Sequence, residues 1–155
     1  MTINVNNKPL ISAIFHNIWP IVARIALGAT FLLSAFYKIK SPLDLATTIS
    51  GYRILPDLLI LPTAYFLPFL EFWSGLLILL GSSNFRRAAS FLCFIMLIVF
   101  MAAALQGLIR GLDFDCGCFG SQSGRPGPLF FLRDFALLAC AFEVLKSGGF
   151  RASKT

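Results

Sequence analysis

Residues 58–80 read LLILPTAYFLPFLEFWSGLLILL, a run with one charged residue, Glu71, and two prolines, Pro62 and Pro68. A helix rising about 1.5 Å per residue needs about 20 apolar residues to cross a hydrocarbon core about 30 Å thick. This run is long enough, and runs of similar character occupy about 18–37, 88–109 and 129–145. In lipid a helix satisfies its own backbone polar groups. The pattern therefore predicts an all-α fold, a four-transmembrane-helix bundle forming a single integral membrane domain over residues 1–155. The prolines bend a helix axis but are tolerated where neighbouring helices re-satisfy the freed carbonyls.

Composition supports the same reading. The chain is 57% hydrophobic and 13% charged, with mean hydropathy +0.81, whereas soluble domains carry roughly 25% charged residues. The thirteen Lys and Arg that give the net charge of +6 stand in ones and twos at the ends of apolar runs. That distribution anchors a protein in a membrane and excludes a nucleic-acid surface. The seventeen Phe side chains read as lipid-facing and packing groups, so membrane lipid is the first expected partner. Residues 1–17 hold no small-residue cleavage site, and the first run reads as an uncleaved anchor. Trp19 and Tyr37 stand near its two ends as interfacial aromatics, and Ala26, Gly28 and Ala29 offer a close-packing face.

Between the first two runs, Ser41-Pro42-Leu43-Asp44 is a helix start, with Ser at the N-cap, Pro in the first helical position and an acid in the first turn. It predicts a short amphipathic helix over 42–50 lying on the membrane surface, ended by Gly51. Four crossings put both termini and the turn Gly81-Ser82-Ser83-Asn84 on one side. Segment 38–57 and the loop 110–128 fall on the other. Lys8, Arg86, Arg87, Lys146, Arg151 and Lys154 on the first side nearly balance Lys38, Lys40, Arg53, Arg110 and Arg125 on the second, so basic-residue asymmetry does not orient the chain. The expected arrangement is a multi-pass protein of the bacterial inner membrane with cytoplasmic termini and an extracytoplasmic loop, because paired cysteines suit an oxidising compartment.

That loop contains DFDCGCFG, residues 113–120. A disulfide between Cys116 and Cys118 closes a very small ring, which Gly117 has the backbone freedom to allow. Strained, exposed disulfides are labile and oxidising, so the pair suits exchange; the other reading is that it merely shapes a turn. No metal site is expected, since a closed zinc site needs further ligands and the single histidine, His16, falls at the opposite membrane face. On helical rise, Cys93 and Cys140 lie about 24 Å and about 16 Å below the loop-side ends of their spans. They read as small buried hydrophobes.

Charges inside spans are costly and face the bundle interior with a partner. Arg24 lies about 9 Å and Glu71 roughly 14 Å in from the terminal side on helical rise, which predicts an Arg24–Glu71 pair. Lys38, Arg133 and Asp134 gather near the loop-side ends, where Asp134 is placed to pair with Lys38 and Arg133 to reach a headgroup or the loop. These five residues either fix helix register or line a proton or ligand path. Tyr52, Phe119 and Gly120 support the loop side.

The order Arg24, Gly28, Lys38, then Tyr52, Pro56, Pro68, Glu71 and Gly75, then Arg86, then Cys116-Gly117-Cys118-Phe119-Gly120, and finally Arg133-Asp134 resembles the MauE branch of the DoxX-like four-helix membrane proteins. Ala35-Phe36-Tyr37 stands where that branch has a glycine before the first-span Lys. The resemblance implies an inner-membrane protein of the methylamine-utilisation type that assists maturation of a disulfide-rich periplasmic dehydrogenase subunit, beside a thioredoxin-like or cysteine-rich extracytoplasmic partner. Cys116 and Cys118 would then be the exchanging pair of a thiol–disulfide oxidoreductase. Two other classes compete. One is a non-enzymatic membrane scaffold or small-solute carrier in which Glu71 and Arg24 line a polar path; the other is a quinone-binding subunit, with quinone as the cofactor, as the DoxX-like relation suggests.

Overall fold

Each apolar run becomes helix because only a continuous i to i−4 ladder satisfies the backbone without water. The computed structural model describes residues 10–111 and 128–150, with side chains over 18–111 and 129–146. Five helices follow one another: α1 Leu10–Lys40, α2 Pro42–Tyr52, α3 Asp57–Leu80, α4 Ser83–Ile109 and α5 Pro128–Phe150. Among the described residues there is no strand. By length and composition α1 (over Ile18–Lys40), α3 and α4 can cross a membrane. α5 is also long, but Arg133, Asp134, Glu143 and Lys146 make it more charged than the other three.

The four long helices form a ring in which α1 packs against α3 and α5, and α4 against the same two. Its centre is apolar and drawn from all four: Leu27 and Phe31 from α1, Ile78 from α3, Cys93, Met96 and Leu97 from α4, and Leu137 and Ala141 from α5. The hydroxyl of Ser90 on α4 donates to the Ala141 carbonyl of α5 at 2.8 Å. The outside is also apolar, with Ile25, Phe36, Phe69, Trp73, Val99 and Leu132 each about half exposed or more. A surface that apolar over its whole circumference is covered by lipid.

α1 crosses α3 closely, and glycine permits it. A Cβ on Gly75 would stand 3.0 Å from the Gly28 carbonyl oxygen and 3.2 Å from the Leu32 amide nitrogen, and one on Gly28 would press into the Leu79 side chain. Of the small residues on α1 it is therefore Gly28 that sets the approach, while Ala26 faces outward. This contact helps hold the register of two antiparallel helices.

α2 departs from expectation in two ways. Its first turn lies where the Ser-Pro-Leu-Asp sequence puts it, but Ser41 makes no side-chain cap; its carbonyl instead accepts from the Leu45 amide at 3.3 Å. The helix also runs through Gly51 to Tyr52 and ends at Arg53, which takes the left-handed conformation (φ 50°, ψ 39°) and donates its amide to Ser50 O. Glycine was the stronger stop signal, but Arg53 takes up the conformational cost so that Tyr52 remains helical. The apolar face of α2, Leu45, Ala46 and Ile49, sits on Ala64 and Ile60 of α3.

Replacing Gly75 by Leu should force α1 and α3 apart and lower stability by about 1–3 kcal/mol, as overpacking does. Thermal unfolding in detergent should show the loss for Gly75→Leu and nearly none for Leu61→Ala, whose side chain is 52% exposed on the outer surface.

Candidate functional site

A helical side chain leans toward the N-terminus of its own helix. In two antiparallel helices this decides which residues meet. Glu71 leans back along α3 toward the loop end of the bundle, and Lys38, near the end of α1, leans inward from that end. The Lys38 ammonium bonds Glu71 Oε1, with the two side chains 5% and 1% exposed. Ser34, one turn before Lys38 on the same face, donates its hydroxyl to Glu71 Oε2 at 3.2 Å. The Lys38 nitrogen lies 4.8 Å from the ring centre of Phe100, so it reaches across the bundle to α4.

α5 supplies a second pair. Arg133 donates from Nε and Nη2 to Asp134 Oδ1 at 2.9 and 2.8 Å. Asp134 is buried, while the Arg133 side chain is 34% exposed and its guanidinium lies 5.0 Å over Phe130. Between the two pairs is a cavity of about 30 Å³ to which α1, α3, α4 and α5 all contribute, with Thr30, Ser34, Lys38, Glu71 and Asp134 as its main polar walls. An isolated charge at this depth would be strongly unfavourable, and pairing with a hydrogen-bonded partner is what makes each tolerable.

The interior pairing differs from the sequence expectation. Arg24 does not meet Glu71. It leans the other way, toward the start of α1, and caps the last turn of α3, donating Nε to Ile78 O at 2.7 Å and Nη2 to Leu79 O. Helix C-termini leave carbonyls unsatisfied and carry partial negative charge, so a guanidinium is a natural partner there. Asp134 is held by its neighbour Arg133, not by Lys38, although both line the same cavity. Counting Cα depth placed Arg24 and Glu71 at similar levels; side-chain direction separates them.

Cys93 is a free thiol buried in the apolar centre, and Cys140 is a free thiol partly buried against it. Tyr52 closes α2, partly buried. Cys116, Gly117, Cys118, Phe119 and Gly120 lie outside the described residues. Ser34, Thr30 and Phe100 were not singled out from sequence. The four-residue spacing of Ser34 and Lys38 is a helical-face signal for the first, whereas nothing local marks Phe100.

A family model described as "Methylamine utilisation protein MauE" matches residues 16–146. The chain belongs to the MauE family. It is similar to "Methylamine utilization protein MauE" of Paracoccus denitrificans, with 29% identity over 123 residues, covering 78% of this chain and 65% of that protein. The chain thus matches slightly less than two thirds of the relative's length. No solved structure matches. The MauE segment takes in Arg24, both ion pairs and the CGC sequence, and with three helices long and apolar enough to cross it this MauE-family chain is a multi-pass membrane protein.

Breaking the central pair of this MauE-family bundle should cost more than removing it. Glu71→Leu or Lys38→Met alone leaves one charge buried and should destabilise by about 3–5 kcal/mol, while the double replacement should recover much of that loss. A thermal-unfolding cycle in detergent checks this, and the matching cycle of Arg24→Met with Glu71→Leu should be close to additive.

Proposed function

We propose that the chain is a membrane component of a thiol–disulfide maturation system linked to methylamine utilisation, with Cys116 and Cys118 as its exchanging pair. The observation that carries this reading is where the other cysteines lie. Cys93 is a free thiol in the packed centre and Cys140 a free thiol partly buried against it, so the described bundle offers the CGC pair no second disulfide to exchange with, which favours action on another protein. In sequence the pair belongs to the segment joining the end of α4 to the start of α5, and Arg133 and Asp134 lie in the first turns of α5.

In this reading α5 is the fourth crossing and α2 lies on the membrane surface. The loop is extracytoplasmic, in the bacterial inner membrane, where disulfides persist. A thiolate of a thioredoxin-like or cysteine-rich partner attacks one sulfur of a Cys116–Cys118 disulfide and releases the other as thiolate. The partner's second thiol then resolves the mixed disulfide. The partner loses two electrons and two protons and gains a disulfide; the loop ends as a dithiol. A two-residue spacing favours this direction because opening the small ring relieves strain.

Trapping tests the reading. A single Cys116→Ser or Cys118→Ser chain leaves one thiol unable to resolve, and one of the two should accumulate a mixed disulfide with an extracytoplasmic protein on non-reducing gels, lost in the double variant. If neither single variant yields an adduct, and both loop thiols of the unmodified chain remain fully reduced in cells, the proposal fails.

A further inference from the structure

The cavity between the two ion pairs has no part in exchange at the loop, yet it is built as a recognition site. Its fixed groups are acids. Glu71 and Asp134 are each 1% exposed, on short side chains from α3 and α5, two helices that face each other across the ring. Its cations are on long, adaptable side chains, and Arg133 is 34% exposed at the rim. The exchangeable partner in such a site is therefore the cation.

The remaining walls favour a donor-rich ligand. The two bonds from Arg133 to Asp134 both end on Oδ1, which leaves Oδ2 for another donor. The Thr30 hydroxyl gives its proton to Ala26 O at 2.8 Å, so it keeps lone pairs to accept with. Phe100 presents a face that already attracts an ammonium at 4.8 Å. Lys38 displays the fit, since its end is a primary ammonium on a methylene group, seated on a carboxylate and beside an aromatic ring. With about 30 Å³ of space and a need of about 10–15 Å³ for one water, the cavity suits a ligand of two or so non-hydrogen atoms. Leu97 and Leu137 line it as well and would receive an apolar end.

We propose that this cavity binds a small primary alkylammonium ion, of methylammonium size, between the carboxylates of Asp134 and Glu71. The ligand's N–H groups go to Asp134 and the Thr30 hydroxyl, and its methyl group to the leucines. Arg133 turns out toward solvent as the ligand enters, which keeps the charge around Asp134 balanced.

Equilibrium binding of radiolabelled methylammonium to the full-length chain in lipid nanodiscs tests the proposal. Saturable binding is expected, weakened at least about tenfold by Asp134→Asn, because a buried charge-assisted hydrogen bond is lost. Thr30→Val should weaken it several-fold, and this near-isosteric change keeps the test decisive if Asp134→Asn does not fold. Unlabelled ethylammonium should compete, and tetramethylammonium, which has no N–H, should not. The proposal is overturned if no saturable binding is found, if Thr30→Val and a folded Asp134→Asn both bind as the unmodified chain does, or if potassium and tetramethylammonium compete as well as ethylammonium.

Discussion

The buried Lys38–Glu71 pair is the constraint on which the rest of the interior depends. Two charges this far from water are tolerable only together, with the Ser34 hydroxyl on the second carboxylate oxygen and the Phe100 ring beside the ammonium. Such a pair adds little net stability over an apolar replacement, but it strongly penalises any arrangement that separates its members. It therefore acts as a register lock. α1 and α3 can slide past each other by a turn only by leaving both charges without partners.

Two further contacts hold the same register from below. Gly28 and Gly75 bring the backbones of α1 and α3 together, and Arg24 joins the final carbonyls of α3. These three contacts follow one another along α1, each a turn or more from the next, and meet α3 in the reverse order, as antiparallel helices require. A bundle in lipid gains no hydrophobic drive for helix association, because the tails are as apolar as the side chains, so close packing and interior polar contacts must supply it. α4 and α5 complete the ring through the apolar centre and the Ser90–Ala141 bond. The cavity is the space left where four helices each turn a polar or aromatic side chain toward the middle.

Much of this was legible in the sequence, and the part that was not has a physical cause. The run at 58–80 became α3 with one residue added, and the run at 88–109 became α4 extended back to Ser83 through half of the expected turn, because continuous apolar sequence has one low-energy form in lipid and a helix once started takes up the polar residues at its entry. The five interior charges were also identifiable, since a charge in a span is unusual whatever its partner. Their pairing, for Arg24, Glu71 and Asp134, is not what depth along the helices implies. Depth along a helix is a property of Cα, whereas contact is made several ångströms away by side chains that lean toward their own N-termini, in opposite directions on antiparallel helices. Applying that rule would have sent Glu71 to Lys38 and Arg24 to the end of α3. Phe100 was beyond reach, because one Phe among seventeen carries no mark of which way it faces. Gly51 shows the limit of single-residue stop signals, since the helix passed through it and ended on Arg53.

Distance measurement by solid-state NMR addresses the register lock most directly. With lysine labelled at Nζ with nitrogen-15 and glutamate at Cδ with carbon-13, in a chain reconstituted in lipid, strong dipolar recoupling between Lys38 Nζ and Glu71 Cδ is expected, abolished by Lys38→Met. Strong recoupling between an Arg24 guanidinium nitrogen and Glu71 Cδ, with none from Lys38, would contradict the account.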